Sequence, residues 1–373
     1  MTYSQFTIKS ILKSKMNIFF LIILPIFTVI FLFVNLSAQK QDTIQYNAQQ
    51  SYSFNQSEAQ HIIKNKKHLK KGEVEVIPEY VMLAKENKAI LNGIHKNNWN
   101  QVYSKQKEVN NHLNAEGNPA SFTHELKRNN LLMDYLKSNH IKSPESESYP
   151  THNLTFNLWM DNFIIPIVLL LVMIFILSNT YCKSYSDKIN KDQLMPMSLN
   201  QQAFHKLTIG TLGFSIYYFM INVWNLIISS IMVGGIGFNY PYYIHNGKQM
   251  QYISLINIYW KAFILQIFSI LFITSFIYLV TIIFKKRITV IFINIIALIG
   301  LSFCVHIFDF LQGIAKLIPS TYFDTVGIVS NNSMNLINKT SFSSGLMVLI
   351  ISSAIVMLLI ALINKLNTKE GRF

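Results

Sequence analysis

Charge is what this 373-residue chain has least of: Asp, Glu, Lys and Arg together make up 13% of it. A soluble globular protein carries roughly 25%, so about half of the usual polar coat is missing. Cysteine is nearly absent as well. Two copies, Cys182 and Cys304, exclude a disulfide framework. The spans read below place them near opposite membrane faces, beyond the ~4.4–6.8 Å Cα separation that a bridge needs. Both read as small buried hydrophobes. Catalytic and metal motifs are also lacking. There is no G-x-x-x-x-G-K-[ST] phosphate loop, since Gly247–Lys248 has no glycine at the required upstream position. H-E-x-x-H, C-x-x-C and G-x-S-x-G do not occur, and the ten histidines are scattered without metal-ligand spacing. The chain is therefore not expected to be an enzyme or to bind a metal or cofactor itself.

What is present is apolar. Hydrophobic residues make up 51%, mean hydropathy is +0.29, and the apolar residues form runs of about 20, the length that crosses a hydrocarbon core. Six spans are predicted: Asn17–Leu36, Asn162–Cys182, Thr208–Val233, Ile258–Phe284, Ile288–Phe308 and Leu346–Leu362. The third contains Asn222 and Asn225, which are costly in hydrocarbon unless they face other helices or water. The fold class expected is all-α, a polytopic membrane bundle of six helices with a mainly helical extracellular domain between the first two.

Lys and Arg in short loops set orientation. Lys9, Lys13 and Lys15 precede the first span. Lys183, Lys188, Lys191 and Lys206 lie between the second and third, Lys285–Arg287 between the fourth and fifth, and Lys365, Lys369 and Arg372 after the last. The opposite loops hold only Lys248 and Lys261, and Lys316 and Lys339. Both termini are thus expected in the cytoplasm of a multi-pass cell-membrane protein. The net charge of +14 reads as topology and attraction to anionic lipid. The cations are spread over both sides, so no nucleic-acid partner is expected.

The predicted layout is a cytoplasmic interfacial helix at 1–16, an uncleaved first span at 17–36 and an extracellular domain at 37–161. A five-helix membrane region follows at 162–364, with a tail at 365–373. Within the extracellular domain, Pro78 to His140 repeats apolar residues at three- and four-residue steps, broken at 115–121 by "AEGNPAS". A helical hairpin or small bundle fits.

Asp161, Lys261, His306 and Asp309 all fall at span ends, so no carboxylate is expected inside the membrane to couple transport to an ion. The interior polar groups are neutral: Asn222, Asn225, Gln266, Asn294 and Ser302. They either line a translocation path or hydrogen-bond between helices.

Between the second and third spans, "DKINKDQLMPMSLNQQAFHKL" at 187–207 is short, basic and amphipathic, with Pro196 fixing a turn before a helix that opens at Ser198. "LMPMSLNQQAFHKL" resembles the coupling segment of ABC-2 type permeases, whose Leu-x-Pro-[IVM]-Ser run Leu194, Pro196, Met197 and Ser198 match, with Lys206 at the family's Lys–Leu end. "LIPSTYFDTVG" at Leu317–Gly327 resembles the same family's outer re-entrant piece, here 309–345. The Ile-, Asn- and Lys-rich composition suits an AT-rich bacterial genome, and the resemblance is to such permeases of Gram-positive bacteria. The resemblance implies a transmembrane subunit of an ATP-driven exporter for a peptide, antibiotic or other amphipathic cargo. It implies a separate ABC ATPase subunit that holds ATP and Mg, a second permease copy or paralogue, and ATPase-coupling roles for Asp187, Leu194, Pro196, Met197, Gln201, Phe204 and Lys206. The competing expectation is a sensor or immunity protein that binds a cell-wall-active peptide through its outer domain. A secondary carrier ranks third.

Overall fold

The computed structural model describes residues 8–369, apart from 10, 66–73, 116–118, 186–195, 236, 247–248 and 332–339. Asp187 and Leu194 lie outside the described residues, as do Lys188, Lys191, Lys248, Lys339, Arg372 and half of the expected interfacial helix. Among the described residues the protein is all-α apart from one hairpin, and six helices are long and apolar enough to cross a membrane. It is a membrane protein. The chain divides into two compact units. One comprises Met1–Phe31, Phe156–Met232 and Asn257–Phe373; the other comprises Leu32–Thr155 and Val233–Ile256.

The first unit holds the spans. α1 runs Lys15–Gln39, and its first part belongs here. Four helices of the polar unit, α2 to α5, come next in the chain; then α6 is Asn153–Phe163, α7 Ile165–Cys182 and α8 Leu199–Met232. α7 is apolar on every side and, apart from exposed Ile167 in its first turn, is largely buried from Leu169 to Cys182, the pattern of a helix walled in by others. α1 instead exposes Ile18, Phe19, Ile22, Ile26 and Ile30 along one side, a surface suited to lipid.

Pro25 stands inside α1 and can donate no hydrogen bond to the carbonyl four residues earlier, Leu21. In hydrocarbon an orphan carbonyl costs several kcal/mol. Tyr217 of α8 donates its hydroxyl to that carbonyl at 2.7 Å. The two helices are keyed together at the point where the backbone of one is incomplete.

α8 has 34 residues and no break, so the expected short coupling helix and the third span are one rod. Ser198 and Gln201 open it reciprocally: the Gln201 amide donates to Ser198 Oγ at 3.3 Å and the Ser198 amide to Gln201 Oε1 at 3.1 Å, a capping box. Gly210 lets α8 lie close to its neighbours, because a methyl group there would stand 2.5 Å from the Tyr181 hydroxyl and 2.7 Å from Thr274. Small residues permit such approaches between membrane helices.

β1, Pro241–Asn246, and β2, Gln249–Ser254, form an antiparallel pair with Tyr243 opposite Tyr252. After them α9 runs Leu255–Phe284. α10, Arg287–Asn294, passes through a π-helical stretch, Ile295–Gly300, into α11, Leu301–Ile307. The "PSTYF" stretch, Pro319–Phe323, forms a 3-10 turn in which Tyr322 is buried, its ring close enough to Gly345 that a methyl there would come within 2.7 Å. Asp324 then caps α12, Thr325–Ser330, accepting from the Gly327 amide at 3.0 Å. α13 is Phe342–Lys369.

The second unit is the polar one. α2 (Ile44–Asn65), α3 (Ile77–His95), α4 (Trp99–Ala115) and α5 (Ala120–Ser138) pack each against the next in sequence. Their core gathers Ala48, Leu83, Ile90, Val102, Tyr103, Met133 and Leu136, together with Tyr240 from the approach to the hairpin. Two features differ from the sequence reading. The apolar repeat from Pro78 continues through Lys96–Asn98, but the chain turns there, because Asn97 adopts φ 54° and the Asn98 amide bonds back to Gly93 at 2.8 Å. Asparagine enters this left-handed conformation more readily than most residues. The β-hairpin, expected to be a short loop between spans, belongs to this unit.

Glu145 ties the unit's return strand together. Its side chain is 1% exposed, and it accepts from the amides of Thr151 and His152 and from the Thr155 hydroxyl. His152 Nδ1 lies 3.0 Å away. Desolvation pushes the Glu145 carboxyl up, but the contacts of His152, Thr155 and Thr151 outweigh it and hold it below the usual carboxylate range.

Two predictions follow from this packing. Gly210→Ala should destabilise the purified protein in detergent by about 1–3 kcal/mol. Gly213→Ala, where an added methyl meets nothing within 4 Å, should be neutral or stabilising by up to ~1 kcal/mol; thermal unfolding of both variants checks this. A folded pKa below the unfolded one means that Glu145 stabilises above the unfolded carboxyl range and loses that contribution as pH falls through its folded value. Glu145→Gln should therefore cost ~2 kcal/mol at neutral pH and flatten the acid limb of the stability curve, read by melting the protein across an acid series.

Candidate functional site

The start of α8 has two sides. Gln201 is exposed and the Phe204 ring is 69% exposed, whereas Gln202, Ala203 and Lys206 are buried. Pro196 is exposed and Met197 half-buried just before the helix. A large phenyl ring held outward by a capped helix is costly in water, and Gln201, one turn before it, is exposed as well.

Lys206 is not exposed. Its ammonium group donates to Ser184 Oγ at 2.8 Å and lies 5.9 Å from the Tyr278 ring centre, while Tyr181 donates to its carbonyl at 3.2 Å. These contacts fasten α8 to the end of α7 and to α9. Among the residues to which the resemblance gave coupling roles, Pro196, Gln201 and Phe204 are each exposed and Lys206 anchors the helix.

Farther along α8, Asn222 and Asn225 enter one network. Asn157 of α6 donates to Asn222 Oδ1 at 2.9 Å and to the Tyr259 hydroxyl of α9 at 2.9 Å. Tyr259 donates to the same Asn222 oxygen at 3.0 Å. Asn225 donates to Asn157 Oδ1 at 2.9 Å and accepts from Thr28 of α1 at 2.8 Å. Asn157, Asn222, Asn225 and Thr28 are each no more than 1% exposed. Four helices meet in a ring of neutral donors and acceptors whose capacity is nearly filled. Chemically it binds helices rather than solutes.

Gln266 and Asn294 stand apart from it. Gln266 Oε1 and Asn294 Oδ1 are buried without a partner among the described residues, although Asn294 donates to the Val290 carbonyl at 2.8 Å. Asn294 ends α10 where the π-helical stretch begins, and such stretches are frequent at functional sites.

The position of Asp161 corrects the sequence reading. It is 3% exposed and stands beside the Tyr218 hydroxyl of α8 rather than at a wet span end. Neither Asp161 Oδ1 nor that hydroxyl meets a partner at hydrogen-bonding geometry among the described residues. The helical spacing of Asn157 and Asp161, four apart, was the signal that both face one side. It was hidden by ending the extracellular domain at residue 161.

No described group of His, Cys, Asp and Glu side chains is arranged to hold a metal ion, and the thiols of Cys182 and Cys304 are free.

Removing the ring's members in pairs measures its strength. Asn157→Ala and Asn225→Ala should each destabilise the protein, and the double variant should fall short of their sum by about 0.6–2 kcal/mol. A double-mutant cycle on detergent-solubilised protein reads that coupling.

Comparison with family models, with curated proteins and with solved structures yields no match.

Proposed function

We propose that the chain is a transmembrane permease subunit of an ATP-driven ABC exporter whose ATP and Mg are held by a separate ATPase subunit. The observation that carries this reading is the architecture of α8. Exposed Gln201 and Phe204, one turn apart, sit at the start of a helix that continues unbroken to Met232, with Pro196 exposed just before it. Lys206 and Gly210 clamp the helix to its neighbours beyond Phe204. A displacement applied at Phe204 thus has a rigid route to Asn222 and Asn225 in the apolar bundle.

In this reading both termini and Phe204 are cytoplasmic, in keeping with the distribution of Lys and Arg. Two copies, or this chain and a paralogue, dock on an ATPase dimer. The ATPase shifts the spans between inward- and outward-facing states by binding the two states with different affinity. The polar helical unit lies outside the cell, and its size suits a peptide, an antibiotic or another amphipathic cargo.

Phe204→Glu with Pro196→Glu should abolish co-purification of an ATPase and cargo export, while the protein still inserts and elutes as wild type in detergent. Phe219→Glu, farther along an exposed side of α8, serves as the contrast and should instead impair insertion. Full export by the double variant at Phe204 and Pro196 would overturn the proposal.

A further inference from the structure

A buried carboxyl without a cation is the least expected feature of the bundle. Asp161 is 3% exposed and Tyr218 is 1% exposed. Among the described residues Asp161 has no ion pair. The titratable groups that face it are the phenols Tyr218, from α8, and Tyr259, from α9, neither of which supplies positive charge. Tyr218 in turn stacks on Phe263, ring centres 5.3 Å apart, so the phenol that faces Asp161 is backed by a second aromatic ring.

Such a carboxyl must meet either a cation or a proton, because an isolated ionised group in an apolar interior is prohibitively costly. A metal cation such as Na⁺ or Ca²⁺ wants about six oxygens. The neighbouring amide oxygens of Asn157, Asn222 and Asn225 already accept hydrogen bonds from within the ring. That leaves Asp161 Oδ1 and the Tyr218 hydroxyl as the unpartnered atoms, too few for a metal ion. A proton needs only one oxygen and no added volume.

The backbone beside Asp161 also allows movement. α6 ends two residues later at Phe163, Ile164 departs to φ −114°, and α7 starts with Pro166 in its first turn. Pro166 gives no amide to the carbonyl of Asn162, so the two helices share fewer bonds than a continuous one.

We propose that Asp161 is a proton-binding site: the carboxyl is neutral while packed against Tyr218, and it passes its proton to water when α6 swings at Ile164 and opens the contact. The O–H bond of the carboxyl breaks, hydronium forms, and the electron pair stays on Asp161. The site gives the bundle a state that depends on proton concentration, independently of any nucleotide.

The test uses the full chain in detergent and dicyclohexylcarbodiimide, which reacts with protonated carboxyls in apolar surroundings, with the modified peptide read by mass spectrometry. Labelling of Asp161 is expected at pH 6 and should fall several-fold by pH 9, while exposed Asp134 stays unlabelled. A second measurement covers failure of the reagent to enter: the infrared carbonyl band of a protonated carboxyl should be present in the wild type and missing in Asp161→Asn. Absence of both signals at pH 6, or labelling that does not change with pH, overturns the proposal. Neither readout needs an ATPase, so the outcome stands apart from the exporter reading.

Discussion

The membrane unit depends on one constraint: a polar group carried into an apolar interior must find its partner inside the protein. Asn157, Asn222, Asn225, Thr28 and Tyr259 meet that demand collectively, each satisfying the next. Without this ring two asparagines on α8 would oppose insertion. With it they fix the rotation of α8 against α1, α6 and α9. Hydrocarbon packing alone specifies rotation weakly, since one apolar side of a helix contacts lipid about as well as another. Hydrogen bonds supply the direction that the apolar residues cannot.

The same helix carries a gradient of attachment. Its first turn is capped by Ser198 and Gln201 and offers Phe204 to the surroundings. One turn later Lys206 and Gly210 bring it against α7 and α9, and the asparagines complete the hold. The Lys206 ammonium group rests against the Ser184 hydroxyl and the Tyr278 ring face, so Lys206 serves the packing of α8.

Much of this was legible in the sequence. The apolar runs announce the spans because insertion is decided by summed hydrophobicity, a local property. Ser198 was legible as a helix start because capping is local too. The continuity of α8 was harder to see, since "NQQAFHK" is polar on one side and reads as a separate amphipathic piece. Asn97 was missed because nothing apolar interrupts the repeat at the turn. The hairpin pairs locally, β1 with β2, but its place in the polar unit, whose helices lie more than a hundred positions earlier in the chain, is not a local property. Asp161 was misplaced for the same reason: a residue at the end of an apolar run looks wet until the facing helix is known to carry Tyr218.

The proline in α1 has a consequence for assembly. A carbonyl freed by Pro25 has a fixed azimuth, and the Tyr217 hydroxyl meets it from one direction only. Sliding α1 by a single residue would turn that carbonyl through about 100°, toward the acyl chains, and forfeit the bond. A wrong neighbour would thus leave a gap in the ladder of α1 that α8 fills, a built-in check that the right partner has arrived.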